Sequence, residues 1–325
     1  MLSHCFAENV FLDPASEFAW DELNETAFLE TFFQSLKERM GSDFADYRFY
    51  IFSTYSVVAT PKSLDINFPR KILIMITDES PSIPLQLQKH YLAIFKAYLP
   101  YELKNSNIFP FSVAFVREVP KLGPIPILAR PIDIFFSGGF HQGRYSLYEE
   151  FHPFFRHLPK PLKGKGSHLF NRPRLSKLLT KFLPKDFSEE SDGFRSVIKF
   201  TDGFKRGFSP EQYGKLLTES KIVLCPGGYK SPETFRHIEA IRAGAIVISE
   251  KLPDTHFYRG APYVIVGDWT EGLKTARGIL LNPELQQTLQ QKGIAWYENV
   301  CSEWATAKYV QSKINEIAAA AAQHG

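Results

Sequence analysis

Apolar residues in this chain recur in two rhythms: short β-branched or aromatic runs, and longer stretches with a stripe at helical spacing. Leu29, Phe32, Phe33, Leu36 and Met40 form such a stripe, predicting a helix over residues 24–40 with Asn24 as cap and Gly41 as stop. Strands are predicted at Tyr47–Ser53, Lys71–Thr77 and Phe111–Val116, with a second helix over Leu85–Leu99 that ends at Pro100. Val119–Pro131 carries four prolines and a glycine, so no helix runs through it, and it reads as a linker. Beyond it the alternation resumes. Strands are expected at Ile132–Phe136, Ser196–Phe200, Ile222–Cys225, Ile246–Ser249 and Tyr263–Val266. Helices are expected over Arg144–Phe155, from Ser209-Pro210-Glu211, over Pro232–Ala243, and from Asn282-Pro283-Glu284. Strand–helix alternation on both sides of a proline-rich linker implies two α/β domains with parallel sheets. The expected bounds are 1–125, 126–300 and a terminal helix at 301–325, long enough to return to the first domain.

Composition narrows the setting. With 325 residues and 44% hydrophobic content, the chain has material for two full cores. A net charge of +3 gives no bulk argument for nucleic acid. Cys5, Cys225 and Cys301 are far apart and lack metal-ligand spacing, which fits a reducing compartment. Cys225 reads as a small core residue rather than a nucleophile. The N-terminus has neither a basic nor an apolar leader region, and no run is long enough to span a bilayer, so a cytoplasmic setting is expected. Residues 156–185 hold nine Lys or Arg and no Asp or Glu. With Leu175, Leu178, Leu179 and Phe182 interleaved, the segment fits peripheral contact with an anionic membrane or an anionic acceptor; a solvated basic loop explains it equally well. Few aromatics stand among these charges, which disfavours nucleic acid.

The most informative stretch is 221–262. Ile222–Cys225, the break at Pro226-Gly227-Gly228, a helix and Ile246–Ser249 together make a βαβ unit. Ligands of such sheets sit outside the carboxyl ends of the strands, where Gly227, Gly228, Ser231 and Thr234 fall. Arg236 and Glu239 share one helix face. A guanidinium suits a diphosphate and a carboxylate a ribose diol; the plainer alternative is an exposed ion pair one turn apart. After Ile132–Phe136, Gly138 and Gly139 let the backbone approach a ligand, and Arg144 opens a helix whose N-terminus favours phosphate. Lys205, in the loop after Ser196–Phe200, is a further candidate for donor phosphate.

Thr234-Phe235-Arg236-His237-Ile238-Glu239-Ala240-Ile241, followed by Ala243-Gly244-Ala245-Ile246-Val247-Ile248, resembles the donor-site block of exostosin-type glycosyltransferases. It departs from that block in having Ile246-Val247-Ile248 where the family usually has a Pro after the small-residue turn, and the resemblance covers about forty residues. It implies the GT-B architecture: α/β, two Rossmann-like domains facing across a cleft, transferring sugar from a nucleotide-diphosphate donor. Arg144 then resembles a diphosphate contact that, with Arg236, clamps the leaving group without a metal. Glu79-Ser80-Pro81-Ser82 resembles an acceptor-side block of α1,3-fucosyltransferases, which implies Glu79 as general base, with Asp78 second. An Asx-type turn is the structural alternative there.

These readings converge on an inverting, metal-independent glycosyltransferase with no cofactor. Its donor would be a UDP-sugar first and a GDP-sugar next, and its acceptor a glycan or glycolipid hydroxyl. The rivals are a nucleotide-sugar epimerase of the same fold and a non-catalytic sugar- or membrane-binding module.

Overall fold

Strand-forming runs and one long amphipathic helix build the first half of the chain. It is seen here in a computed structural model that describes residues 6–55, 59–116, 119–157, 183–191, 194–203 and 207–324. β1 (Val10–Leu12), α1 (Thr26–Met40), β2 (Arg48–Ser53), β3 (Lys71–Ile76), β4 (Ala93–Lys96) and β5 (Ile108–Pro110) follow one another. The five strands pair in parallel in the order β1-β2-β3-β4-β5. Successive strand residues face opposite ways, so Phe49, Ile51, Ile72, Ile74 and Phe95 feed one core while Tyr50, Phe52, Leu73, Met75 and Ile94 feed another. The first is closed by Phe28, Phe32 and Phe33 of α1 and by Ala307, Val310 and Ile314 of the C-terminal helix Glu303–His324. Residues 253–261 and 296–325 accordingly belong to the same unit as 1–118.

Several elements of this unit differ from expectation. The helix expected over Leu85–Leu99 is a 3-10 turn, Leu85–His90, followed by β4. Its apolar residues satisfied a helical stripe, but Ala93-Ile94-Phe95 pairs with β3, and a short buried strand is not separable from a helix by periodicity. The strand expected at Phe111–Val116 is instead β5, just before it. Ala114 has φ +65°, outside the strand region. Asn24 does not hold the cap position of α1: Glu25 does, and its side chain makes no capping bond.

The second unit, residues 119–252 and 262–295, contains β6 (Ile132–Gly139), α2 (Tyr145–Phe151), β7 (Glu189–Ser191), β8 (Phe194–Thr201), α3 (Pro210–Glu219) and β9 (Ser220–Cys225). These are followed by α4 (Phe235–Arg242), β10 (Ile246–Ser249), β11 (Val264–Ile265), α5 (Trp269–Leu280) and α6 (Pro283–Trp296). Ser209 and Gln212 form a reciprocal capping box around Pro210 at the start of α3. The six strands run in the order β11-β10-β9-β6-β8-β7 and are parallel except for the β7–β8 pair. From β6 the chain steps to β8 on one side, then crosses to β9 on the other. Strand order therefore reverses between β6 and β9, the place where a Rossmann-like sheet opens a ligand crevice.

The proline-rich segment is not a free linker. Arg130 is buried and donates to the carbonyls of Ile125 (3.0 Å), Ser220 (2.7 Å) and Ala243 (2.8 Å). Gln290 accepts from the Ile127 amide at 2.9 Å and donates to the carbonyls of Ile125 (2.9 Å) and Gly244 (3.2 Å). These bonds stitch residues 125–130 to the second unit, so the division falls at 118/119 rather than 125/126. No helix among the described residues is long and apolar enough to cross a membrane.

One buried carboxyl of the first unit carries a pH signature. Glu25 is 3% exposed, bonds the Thr77 hydroxyl and backbone amides, and has no partner at Oε2 among the described residues. Burial, the largest cause, pushes its carboxyl up from 4.5 to about 7. The folded chain then binds more protons than the unfolded chain between these values, so stability falls as pH rises from about 4.5 through about 7. The loss is on the order of 3 kcal/mol. Glu25→Gln should remove that pH dependence, raising the melting temperature at pH 8 and leaving pH 4.5 nearly unchanged. Equal shifts at both pH values in thermal melts would contradict this.

Candidate anion site in the second unit

The loops that follow β6 and β9 meet at the sheet's switch point, and two arginines meet there with them. Arg144, just before α2, donates from Nε to the Gly227 carbonyl (3.1 Å) and from Nη1 to the Gly139 carbonyl (2.9 Å). Arg236, in the first turn of α4, donates from Nη2 to the Ser137 carbonyl. Both are 7% exposed, and both guanidinium carbons lie over the Phe136 ring, at 5.9 Å and 4.8 Å. Nε and Nη1 of Arg236 are buried without a hydrogen-bond partner among the described residues. Gly138 makes this convergence possible. A Cβ there would collide with Arg236 Nη2 and stand 2.8 Å from Arg144 Nη1. Two cations crowding one backbone position, with donors left unused on one of them, are complementary to a compact polyanion.

The rest of the cluster sharpens the charge. His141 accepts the Gly143 amide at Nδ1 (3.2 Å), and its pKa is lowered to about 3 by burial, then by Arg144 and Arg236. His237, buried, accepts the Thr234 amide at Nδ1 (3.1 Å) and bonds Ser249 Oγ through Nε2 (2.8 Å). Burial is the main cause of its pKa falling to about 3. Both imidazoles are therefore neutral at ordinary pH, and the positive charge belongs to the arginines. Glu239 is buried one turn beyond Arg236 and takes a hydrogen bond from Tyr213, whose hydroxyl burial raises well above 10. It also borders a crevice with Val119, Leu122, Leu217 and Arg242. The Cys225 thiol is pushed up to about 12 by burial, an inert core group.

Several expected features of these loops take a different form. α2 has only seven residues, shorter than the predicted helix to Phe155, so positive charge here comes from guanidinium groups rather than from a helix terminus. The amides of Gly227 and Gly228 are already used, by Glu250 Oε2 (3.1 Å) and the Ser231 carbonyl (2.7 Å). Ser231 Oγ accepts the Glu233 amide (3.2 Å), and Thr234 Oγ1 bonds His237 Nδ1 (3.0 Å). These residues shape the loop from inside. A Cβ at Gly228 would stand 2.9 Å from the Ser231 carbonyl oxygen, which is why glycine is needed there. Glu250, which also takes the Trp269 indole N–H at 3.2 Å, escaped the sequence reading. Its position directly after β10 could have flagged it, since parallel strands bring their following residues to one edge.

In the first unit, Asp78 and Glu79 follow β3 beside Thr77, whose φ of +71° is unusual for a β-branched residue. Asp78 is buried, accepts the Ser80 amide (2.9 Å) and pairs with buried Lys96 (3.3 Å). Lys96 also donates to the carbonyls of Asp78, Ser80 and Ala97. Asp78 thus anchors the turn, in the manner of an Asx-type turn, and Glu79 beside it is half-buried. Lys205 and residues 158–182 of the basic segment lie outside the described residues.

No family model and no curated protein matches this chain. Among solved structures, it is similar to Alr3699/HepE of Anabaena in complex with UDP (9% identity, TM-score 0.47), over 86% of this chain and 82% of that one. A glycosyltransferase from Rickettsia africae ESF-5 gives 11% identity and a TM-score of 0.47, over 90% and 82%. An alpha-glucosyltransferase in complex with UDP-glucose and DNA containing an abasic site gives 12% and 0.48, over 89% and 84%. No family membership follows from figures this low.

The arginine geometry makes a prediction of its own. Inorganic pyrophosphate at a hundred times its dissociation constant should stabilise the protein by about 2.7 kcal/mol. Gly138→Ala, by displacing Arg236, should abolish the shift in a thermal melt while leaving a folded protein. Equal stabilisation of both proteins would show that the anion binds elsewhere.

Proposed function

We propose that this chain is a glycosyltransferase of GT-B type that moves a sugar from a nucleotide-diphosphate donor to a hydroxyl of a glycan or glycolipid. The observation that carries the reading is Arg236. It is a buried guanidinium with two unused donors, set beside Arg144 at the switch point of a Rossmann-like sheet. A nucleoside diphosphate matches this charge, and a sugar attached to it supplies chemistry that needs the charge. As the bond from the anomeric carbon to the diphosphate oxygen breaks, the leaving group gains negative charge, which the two arginines stabilise in place. The transfer is therefore metal-independent. Glu239, at the edge of its crevice, is assigned to the ribose diol; Gly138, Gly139, Gly227, Gly228, Ser231 and Thr234 shape the two loops, and Lys205 stands as a further phosphate contact. Glu79 takes the acceptor hydroxyl's proton in an inverting displacement, while Asp78 holds its turn. We favour UDP as the carrier, then GDP.

UDP, GDP, CMP and dTDP, each tested in a thermal melt, should leave one clear stabiliser, and Arg236→Ala should lose its effect. With the matching sugar nucleotide and an acceptor, turnover should persist in EDTA and fall by on the order of a hundredfold or more in Glu79→Gln. Silence from all four nucleotides would sink the donor site; full turnover by Glu79→Gln would remove Glu79 as the base.

A further inference from the structure

His141 stands where the two glycine loops meet. Its ring lies against Gly143, whose own position also borders the Gly228 carbonyl, and the exposed Tyr229 ring sets its edge near it at a centroid distance of 5.7 Å. Gly139, two residues earlier, accepts from Arg144. The Gly143 amide donates to Nδ1, so the neutral ring carries its proton on Nε2. That Nε2–H has no hydrogen-bond partner among the described residues. A histidine beside two guanidinium groups gains nothing from becoming a third cation. It can act beside them only as a dipole, offering an N–H whose direction the backbone has already set.

We propose that His141 is a third ligand of the anion bound by Arg144 and Arg236, donating from Nε2–H as a neutral, tautomerically fixed group. The inference rests on the diphosphate reading of the site and adds a residue to it. An N–H held in place by the Gly143 amide adds direction to the charge of the arginines, which suits one phosphate oxygen in one orientation. Burial first, and then the proximity of Arg144 and Arg236, keeps the ring neutral, so it does not add to the repulsion between them.

The test is calorimetric titration of the full chain with inorganic pyrophosphate in metal-free buffer, for wild type, His141→Phe, His141→Gln and Arg236→Ala. Circular dichroism confirms that each variant is folded. His141→Phe should bind about tenfold more weakly, the scale of one hydrogen bond to a charged group, and His141→Gln should regain most of the loss with its amide donor. In ¹⁵N spectra, the His141 ring should show an unprotonated Nδ1 and a protonated Nε2 whose signal moves on adding pyrophosphate. Wild-type affinity in His141→Phe alongside loss in Arg236→Ala would overturn the proposal and leave the diphosphate reading standing. Equal weakening in both His141 variants, with an unmoved Nε2 signal, would mark a structural role and also overturn it. A wild type indifferent to pyrophosphate and to UDP, GDP, CMP and dTDP would bring down both.

Discussion

Arg144 and Arg236 press on the same glycine and lie over the same phenylalanine ring, in a corner with little water. Two unit charges of like sign about 4 Å apart repel by about 4 kcal/mol near a protein surface. Backbone carbonyls of Ser137, Gly139 and Gly227 soften that repulsion without cancelling the charge. Desolvated charge of one sign is what an anion's binding energy can be drawn from, and the surrounding unit is arranged to hold it. Gly138 gives up a side chain so that the guanidinium groups can converge, and β6 carries that glycine to its carboxyl end. The crossover from β8 to β9 opens the sheet at the same place.

Rigidity behind the site has an identifiable source. Arg130 and Gln290 tie the proline-rich segment to the end of α4 and the start of β9, the elements that carry Arg236 and the Gly227 turn. Glu250 clamps that turn from the β10 side and is itself held by Trp269. Arg236 thus sits on a short helix whose two ends are both fixed, at the front by the Thr234–His237 bonds and at the back by Arg130. Preorganisation of this kind holds positive charge in place before an anion arrives. In the first unit, Lys96 does comparable work: one buried ammonium gathers three carbonyls and the Asp78 carboxylate and so sets the turn that carries Glu79.

Much of this fold was legible in the sequence because parallel strands buried on both faces leave continuous apolar runs, as Ile72–Ile76 and Ile222–Leu224 do. What misled was length: the apolar run around Ala93-Ile94-Phe95 is too short to distinguish strand from helix without knowing that β3 and β5 flank it. Arg144 and Arg236 could be named because a guanidinium on a helix near a strand's carboxyl end suits phosphate, and because the residues around them resemble a donor-site block. Their convergence on Gly138 could not, since it depends on register between strands far apart in sequence. The occupied amides of Gly227 and Gly228 were hidden for the same reason, as their partners, Glu250 and the Ser231 carbonyl, are set by the folded loop. Nothing in the sequence around Glu25 marks its carboxyl. Only burial beside Thr77 makes it a carboxyl that titrates near neutrality.

We propose that the two arginines hold a diphosphate. The most direct test is a crystal structure with UDP, the favoured carrier. Phosphate density is expected in contact with Nε or Nη1 of Arg236 and with the Arg144 guanidinium, beside Gly138. Density for the diphosphate anywhere else in the molecule, with the Arg236 donors still empty, would contradict it.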